Sequence, residues 1–277
     1  MRFDYCVMGN PVAHSRSPWI HTRFAELTGQ ALVYDRLHVE LDGFTAAVQG
    51  LQARGGKGCN VTVPFKLEAA ALASQHSDRA RLAQACNTLH FRPEGIYGDN
   101  TDGAGLVQDI TQHAGQPIAG RTLLLIGAGG ASAGVLGPLI AAGAQRIAVA
   151  NRTPAKAQAL VERHAVLAGQ HGCTLQACGL DSVDGRFDIV VNGSASSLAG
   201  TGVPVAASVL ADGALAVDMM YGPAAAPFLD WASAHGARAR DGLGMLVEQA
   251  AESFALWRGV RPPSAQVLAE LRAIVDA

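Results

Sequence analysis

A glycine-rich turn between an apolar run and a helical segment constrains the fold more than any other feature of this sequence. The turn comprises Gly127, Ala128, Gly129, Gly130 and Ala131. Glycines here let the backbone approach a pyrophosphate, and the following helix offers free N–H groups and a partial positive charge. The third position of the G-x-G-x-x-G fingerprint is Ser132 rather than glycine. The turn predicts a dinucleotide site; the alternative is a tight strand–helix turn that binds nothing.

The residues after the next predicted strand, 147–150, indicate which dinucleotide would bind. NAD sites usually carry an acidic residue about 20 positions beyond the glycines, where it holds the ribose hydroxyls. Here the strand is followed by Asn151, Arg152, Thr153 and, one helical turn further on, Lys156. A planar guanidinium suits a 2′-phosphate, so the segment favours NADP over NAD. The alternative is that Thr153 caps the next helix while Arg152 and Lys156 are solvated.

Apolar strands alternate with helical segments along the 277 residues, which predicts mostly parallel sheets covered by helices. The predicted strands are 3–8, 32–39, 58–61, 88–91, 95–97, 122–126, 147–150, 188–191 and 214–217. The predicted helices are 18–28, 43–53, 65–74, 131–142, 154–164, 223–234, 242–257 and 264–275. Because domains typically have roughly 150 residues, this length suggests two domains. We therefore predict an N-terminal α/β domain over 1–102 and a Rossmann-type domain over 103–241. The C-terminal helices in 242–277 are expected to return to the first domain.

Charge and cysteine content exclude several classes of protein. A formal net charge of -2 provides no basic field for nucleic acid. The number of cysteines, five, is odd, and none forms a C-x-x-C pair, so we expect neither a disulfide framework nor a metal cluster. Free cysteines are typical of a reducing compartment. The N-terminus lacks a signal-peptide pattern, and no run of about 18 apolar residues occurs. We expect a cytoplasmic protein without nucleic-acid, membrane or metal partners.

Several polar residues of the first domain lie at predicted strand ends or in loops. Taken singly, each has an ordinary structural explanation. Ser15 suits a loop, and Ser17 suits the N-cap of the helix that follows it. Thr62 could pair with a neighbouring strand, Lys66 could be solvated, and Asp102 could cap the next helix. No single residue of this set therefore identifies a catalytic site.

Eight short motifs occur along the chain in a fixed order. They are GNPVAHSRSP at 9–18, NVTVPFK at 60–66, NT at 87–88, GDNTDGAG at 98–105, GAGGA at 127–131, NRT at 151–153, DMMY at 218–221 and DGLGMLVEQAA at 241–251. With this combination the chain resembles the shikimate dehydrogenase family over nearly its whole length. The resemblance implies reversible NADPH-dependent reduction of 3-dehydroshikimate to shikimate, in aromatic amino acid biosynthesis. One departure is Arg16, where many relatives carry a hydrophobic residue; this side chain is expected to point away from the substrate.

The resemblance also implies roles for individual residues. The first domain would be the substrate domain, and its catalytic pair would be Lys66 and Asp102. The implied substrate contacts are Ser15 and Ser17 to the carboxylate, Asn60, Thr62, Asn87 and Gln249 to ring hydroxyls, and Tyr221 nearby. The implied NADP contacts are Gly127, Ala128, Gly129, Gly130, Ala131, Asn151, Arg152, Thr153 and Lys156, with Met219 and Gly242 beside the nicotinamide.

Oxidation of a secondary alcohol requires a group that removes the hydroxyl proton. The sequence has no Cys/His cluster at zinc-ligand spacing, so a side chain has to do this. We expect Lys66 to hydrogen-bond the reacting oxygen and transfer the proton while Asp102 orients it. General acid–base action of this kind typically contributes about 10²–10⁴ in rate.

Other readings remain open at this point. One is a paralogue that also oxidises quinate or uses NAD, and another is an NADP dehydrogenase acting on methylene-tetrahydrofolate. A third is a non-catalytic nucleotide-binding sensor. A monomer and a homodimer are both compatible with the sequence.

Overall fold

The computed structural model describes residues 3–194 and 203–276, which form two compact units. Unit 1 comprises Met1–Gly105 and Val247–Ala277, and unit 2 comprises Leu106–Leu246. Each unit has its own sheet of six strands.

The strands and helices of the described residues are numbered in chain order. The strands are β1 Tyr5–Gly9, β2 Tyr34–His38, β3 Gly58–Val61, β4 Gln75–His76, β5 Thr88–Arg92, β6 Gly95–Asp99, β7 Thr122–Ile126, β8 Arg146–Ala150, β9 Thr174–Cys178, β10 Phe187–Asn192, β11 Leu210–Asp218 and β12 Arg238–Arg240. The α-helices are α1 Ser17–Thr28, α2 Phe44–Ala53, α3 Lys66–Leu72, α4 Asp78–Ala83, α5 Asp102–Gln108, α6 Gly130–Ala141, α7 Pro154–Gln170, α8 Ala226–Ala234, α9 Leu243–Arg258 and α10 Ser264–Val275. A π-helical turn, Asp109–His113, follows α5.

The sheet of unit 1 is mixed, with strand order β2-β1-β3-β5-β6-β4. Strand β1 runs parallel to β2 and β3, whereas β5 runs antiparallel to both β3 and β6. In this register Asn60 lies opposite Thr88, and Thr88 lies opposite Asp99. The end of β3, the start of β5 and the end of β6 therefore meet at one edge of the sheet. Three of the seven predicted substrate residues lie in or next to these strand ends: Asn60, Thr62 and Asn87.

Helix α9 packs on the sheet of unit 1 through an aromatic residue near its C-terminus. The ring of Trp257 stacks on Tyr5 with centroids 4.5 Å apart, and its Nε1 donates to the carbonyl of Leu89 at 3.1 Å. Both contacts are buried, so they fix the helix against strands β1 and β5. The prediction that the C-terminal helices return to the first α/β unit is confirmed.

The sheet of unit 2 is wholly parallel, with strand order β12-β11-β10-β7-β8-β9. The chain moves outward from β7 to β9 and then resumes on the other side of β7 with β10. This is the doubly wound Rossmann order, in which ligands bind where the direction reverses, beyond the carboxyl ends of the strands. Here that reversal lies between β7 and β10. The predicted α/β class and Rossmann-type arrangement are confirmed.

The capping expectations need correction. Ser17 is the first residue of α1 and not its N-cap; the N-cap is Arg16, and no side chain caps the helix. Thr153 does occupy the N-cap of α7, but its side chain accepts no hydrogen bond there. Asp102 is itself the first residue of α5.

Candidate active site

A charged pair lies at the edge of the unit 1 sheet where β3, β5 and β6 meet. Lys66 begins α3, after the short loop that follows β3, and Asp102 begins α5 just after β6. Nζ of Lys66 donates to Oδ2 of Asp102 at 2.5 Å. The side chains are 18% and 8% exposed. The pair is thus largely shielded from bulk water.

Asn87 joins this pair to the rest of the site. Its Nδ2 donates to Oδ1 of Asp102 at 2.8 Å, to Oγ1 of Thr101 at 2.9 Å and to Oε1 of Gln249 at 3.3 Å. Its Oδ1 accepts from the backbone N–H of Thr101 at 2.9 Å. Asp102 is therefore held on one oxygen by a cation and on the other by a neutral amide, which fixes the plane of its carboxylate.

Asn60 belongs to the same buried cluster. Its Oδ1 accepts from the hydroxyl of Tyr34 at 2.8 Å, and its Nδ2 donates to Thr88 Oγ1 at 3.1 Å and to Ser253 Oγ at 3.0 Å. The hydroxyls of Thr88 and Ser253 are 2.8 Å apart. Because all of these groups are buried, the network fixes the orientation of the Asn60 amide.

Asp99 orders the loop between β6 and Asp102. Its carboxylate accepts from Arg79 Nε and Nη2, both at 2.7 Å, and from the backbone N–H of Asn100 at 2.7 Å. Burial alone would raise the pKa of Asp99, but Arg79 and the Ser77 hydroxyl bring the pKa below its usual value. Asp99 thus stays ionised, and its bonds to this loop constrain the position of Asp102.

The predicted carboxylate and hydroxyl ligands Ser15, Ser17 and Thr62 also belong to unit 1. The backbone N–H of Ser17 donates to Ser15 Oγ at 3.2 Å. Ser17 is buried, whereas Ser15 and Thr62 are partly exposed. The backbone N–H of Thr62 donates to Met8 O at 2.9 Å, which places this threonine just beyond β1 and β3.

In unit 2 the glycine turn lies at the carboxyl end of β7, at the point where the strand order reverses. Gly127 has φ +105° and its N–H donates to Ala150 O at 2.8 Å. A Cβ on Gly129 or Gly130 would meet none of the described atoms within 4 Å, so no described residue crowds the backbone at the start of α6. Free N–H groups at a helix start beside such space suit a phosphate.

Gly193 compensates for Ser132, the residue at which the turn departs from the glycine fingerprint. It is fully buried in α6, and a Cβ on Gly193 would lie only 2.7 Å from its Oγ. The close helix–strand approach that the third glycine usually permits is thus obtained from Gly193, which follows the neighbouring strand β10. The departure therefore leaves the geometry of the turn intact.

The segment after β8 presents its charged side chains to solvent. Arg152, Thr153 and Lys156 are exposed, and Asn151 Nδ2 donates to Thr153 O at 3.0 Å. No carboxylate among the described residues forms an ion pair with Arg152 or Lys156. Two such cations at the end of the second strand are suited to an anionic group.

Met219 and Gly242 lie against each other within unit 2. A Cβ on Gly242 would lie 2.3 Å from Met219 O, and the N–H of Gly242 donates to Met220 O at 2.8 Å. Tyr221 follows in the same segment, before the short 3₁₀ turn Gly222–Ala224, and is partly exposed.

Three family models match the sequence. The model described as "Shikimate dehydrogenase substrate binding domain" matches residues 7–89, and "Shikimate / quinate 5-dehydrogenase" matches 109–199. "Shikimate 5'-dehydrogenase C-terminal domain" matches 242–272. A relative named "Shikimate dehydrogenase (NADP(+))" from Acidovorax sp. (strain JS42) is 66% identical, over 99% of this chain and 97% of its own. This chain belongs to the shikimate dehydrogenase family.

Other family members and solved structures agree with this assignment. A "Shikimate dehydrogenase (NADP(+))" from Methylibium petroleiphilum is 63% identical over 99% of this chain and 96% of its own. The crystal structure of an Ael1 enzyme from Pseudomonas putida has a TM-score of 0.89 at 44% identity, covering 96% of this chain and 97% of that one. Shikimate 5-dehydrogenase from Thermus thermophilus, in complex with NADP(H) and shikimate, has a TM-score of 0.82 at 30% identity, covering 97% and 98%.

Within this shikimate dehydrogenase fold, unit 1 brings together many of the residues singled out in the sequence. Lys66, Asp102, Asn87 and Gln249 share one network, and Asn60 joins it through Thr88 and Ser253. Tyr221 belongs to unit 2.

Sequence reasoning missed several members of the unit 1 network. Tyr34, Thr88, Thr101 and Ser253 are buried and bond directly to the predicted site residues. Thr88 and Thr101 lie inside quoted motifs, so their motif membership was an available signal. Tyr34 and Ser253 lie in a strand and a helix where their types suggest ordinary packing.

Membrane-spanning and metal-binding features are both absent from the described residues, 3–194 and 203–276. These residues contain no helix that is both long and apolar enough to cross a membrane. They also contain no group of three or more His, Cys, Asp or Glu side chains placed to hold a metal ion.

Proposed function

We propose that this chain catalyses the reversible NADP-dependent interconversion of shikimate and 3-dehydroshikimate, in aromatic amino acid biosynthesis. The observation that carries the proposal is the hydrogen-bonded pair Lys66–Asp102, with Asn87 donating to the second carboxylate oxygen, in a chain of this family. A non-catalytic nucleotide sensor would have no use for a shielded lysine–aspartate pair beside hydroxyl and amide donors.

The substrate would bind to unit 1, whose polar groups suit a small polyhydroxylated acid. Asn60, Thr62, Asn87 and Gln249 would face ring hydroxyls, with Tyr221 contributing nearby. Ser15 and Ser17 would hold the carboxylate. Sites built from hydrogen-bonding groups reject analogues that lack a partner, because the protein groups are then left unpaired.

NADP would bind to unit 2, and the residues present there fit it. The open backbone at Gly129 and Gly130 would receive the pyrophosphate, with Gly127, Ala128 and Ala131 completing the turn. The exposed cations Arg152 and Lys156 would hold the 2′-phosphate, with Asn151 and Thr153 shaping their loop. Met219 and Gly242 would border the nicotinamide. When bound, the oxidised cofactor accepts the hydride that the alcohol carbon releases.

Lys66 would handle the proton. Its Nζ donates to Asp102 at 2.5 Å, which leaves further N–H groups to reach the reacting oxygen. During oxidation the neutral amine of Lys66 would accept the hydroxyl proton on its Nζ lone pair and become an ammonium, and during reduction that ammonium would return the proton. Asp102 would orient Lys66 and stabilise its positive charge, while Asn87 holds Asp102 in place. A positioned acid–base group of this kind contributes about 10²–10⁴ in rate.

A domain division and a cellular location form part of the proposal. Residues 1–102 and 242–277 would form the substrate and catalytic domain, and 103–241 the NADP-binding domain. The five cysteines are free thiols in the described structure, which is typical of a reducing compartment such as the cytoplasm.

The decisive experiment measures initial rates with shikimate and with quinate, each with NADP⁺ and with NAD⁺, by absorbance of the reduced nicotinamide. We expect turnover with shikimate and NADP⁺ to exceed the other three combinations. Comparable rates with quinate would favour the broader paralogue, and absence of any signal at micromolar enzyme would favour a sensor.

Lys66→Ala tests the proton path in the same assay. We expect kcat to fall by about 10²-fold or more, because the group that takes the proton is lost. Lys57→Ala is the matched control, since Lys57 is exposed and its Nζ lies 3.6 Å from Asp4. A fall in kcat of less than tenfold for Lys66→Ala, with unchanged KM, would remove Lys66 from the proton path.

A further inference from the structure

The loop that carries Ser15 and Ser17 is anchored by an arginine on β2 that sequence reasoning did not single out. Both Nε and Nη2 of Arg36 donate to the backbone carbonyl of Ser15, at 3.0 and 2.6 Å. The hydroxyl of the same serine accepts from the N–H of Ser17 at 3.2 Å. One guanidinium thus holds the backbone of a loop whose two serines lie two positions apart.

The charge of Arg36 is not neutralised by an ion pair. Its guanidinium binds a carbonyl oxygen, and no carboxylate in the described part of the chain lies within 4 Å of it. The Asp35 carboxylate accepts from the backbone N–H of Arg36. On the same strand, His38 is paired with Glu40 at 3.5 Å. The positive charge therefore remains available to an anion at Ser15.

We propose that Arg36 is a specificity-determining positioning residue for the carboxylate of the substrate, acting through Ser15. The inference rests on the proposed function, in which Ser15 and Ser17 bind that carboxylate. Serine hydroxyls are neutral and can hydrogen-bond an acid or an ester, so they discriminate weakly between them. Arg36 adds the missing discrimination in two ways: it sets the position of the Ser15 hydroxyl, and it places a cation behind it.

The geometry sets the size of the effect. The guanidinium touches Ser15 O, and a serine hydroxyl lies close to its own carbonyl, so an anion on that hydroxyl is roughly 7 Å from the charge. At that separation the attraction corresponds to a preference for the anion of about 3-fold at the dielectric constant of water and about 50-fold at that of a protein surface, so we expect about tenfold for the exposed Arg36. This preference should disappear when the anion is replaced by a neutral ester.

The test compares shikimate with its methyl ester, using NADP⁺ and the complete chain. For Arg36→Gln we expect the ratio of kcat/KM for the acid to that for the ester to fall about tenfold, mainly through KM for the acid. Arg36→Lys should keep more of the ratio because it keeps the charge. Arg16→Gln is the matched control, because it removes an exposed arginine from between the two serines and should leave the ratio nearly unchanged.

An equal loss on both substrates would mean that Arg36 only supports the loop, and would overturn the proposal. So would an equal fall of the ratio in Arg16→Gln, since the effect would then reflect general charge. If Arg36→Gln does not fold, the unmodified chain decides: added salt should raise KM for the acid and not for the ester, and equal responses would overturn the proposal. Failure of the unmodified chain to oxidise shikimate would instead refute the proposed function.

Discussion

Replacing Asp102 by asparagine tests the site at the bond between its two charged groups. The carboxylate uses both oxygens as acceptors, from Lys66 Nζ at 2.5 Å and from Asn87 Nδ2 at 2.8 Å. An asparagine of the same shape has only one oxygen. If that oxygen faces Lys66, the new NH₂ faces the NH₂ of Asn87; if the amide is flipped, the NH₂ faces the ammonium. One of the two contacts is lost in either orientation.

The size of the loss follows from the nature of the bonds. A hydrogen bond to a charged group contributes about 1.5–3 kcal/mol, and both side chains are less than one-fifth exposed, so solvent screening reduces this little. If the transition state loses that much stabilisation because Lys66 is misplaced, kcat/KM falls roughly 10- to 150-fold. We expect most of the change in kcat, because Asp102 acts on the group that moves the proton.

The assay is the initial rate of shikimate oxidation with NADP⁺, followed by reduced-nicotinamide absorbance across a range of pH. Thermal unfolding of the same samples establishes that the variant is folded. Asp78→Asn is a suitable control: Asp78 lies in α4, is exposed and pairs with Arg81 three residues away. This control should stay within about twofold of the unmodified chain, since exposed pairs contribute little.

A folded Asp102→Asn variant whose kcat/KM stays within about threefold of the unmodified chain would contradict this prediction, because a lost charged hydrogen bond should cost more. Such a result would mean that the carboxylate charge and its double acceptance do not matter for the reaction. The bond at 2.5 Å would then be structural.

Two further predictions concern the cofactor and the stability of unit 1. Arg152→Gln should raise KM for NADP⁺ about tenfold or more and leave KM for NAD⁺ nearly unchanged, because only NADP offers the 2′-phosphate to the guanidinium; equal changes for both cofactors in steady-state kinetics would contradict this role. His21 is fully buried, and burial lowers its pKa from 6.5 to about 3. Between these values the unfolded chain binds a proton that the folded chain does not, so stability falls by about 1.4 kcal/mol for each pH unit of acidification below 6.5. His21→Phe, which can keep the stacking on Tyr34, should reduce this pH dependence of the free energy of unfolding, measured by urea unfolding at a series of pH values. An unchanged pH dependence would exclude His21 as its source.

The sequence predicted the long buried elements best. Strands β7 and β8 are continuous apolar runs next to a glycine turn, so both their type and their ends are readable. Strand β9 was missed because its alternating pattern is only partly buried, and β12 because three residues, Arg-Ala-Arg, carry no strand signal. Helix α7 continues to Gln170, beyond the predicted end at His164, since the residues up to Ala168 suit a helix and the one glycine, Gly169, lies in the last turn.

The candidate site was less accessible to sequence reasoning. Lys66 and Asp102 could be named only because whole motifs resembled a family, since neither type nor spacing distinguishes them from solvated side chains. Ser253 is separated from Asn60 by 193 positions, and its hydroxyl becomes important only when α9 lies on the sheet. Arg36 was also missed, because a charged residue on an exposed strand face usually has no role. Such residues gain their roles from register and packing, which local patterns do not contain.

The exchange between Ser132 and Gly193 has a consequence for how such nucleotide folds can vary. A methyl group added at position 193 would lie 2.7 Å from the Ser132 oxygen and 3.0 Å from Met219 Sδ, so what position 193 can hold depends on the residue at 132. Glycine at 132 would remove the closer of these contacts, and alanine at 193 would then require a shift only of the flexible end of Met219. A search that scores only the loop after β7 would therefore undervalue this chain, because the close approach that the third glycine of the fingerprint usually allows is provided here by Gly193, just after β10.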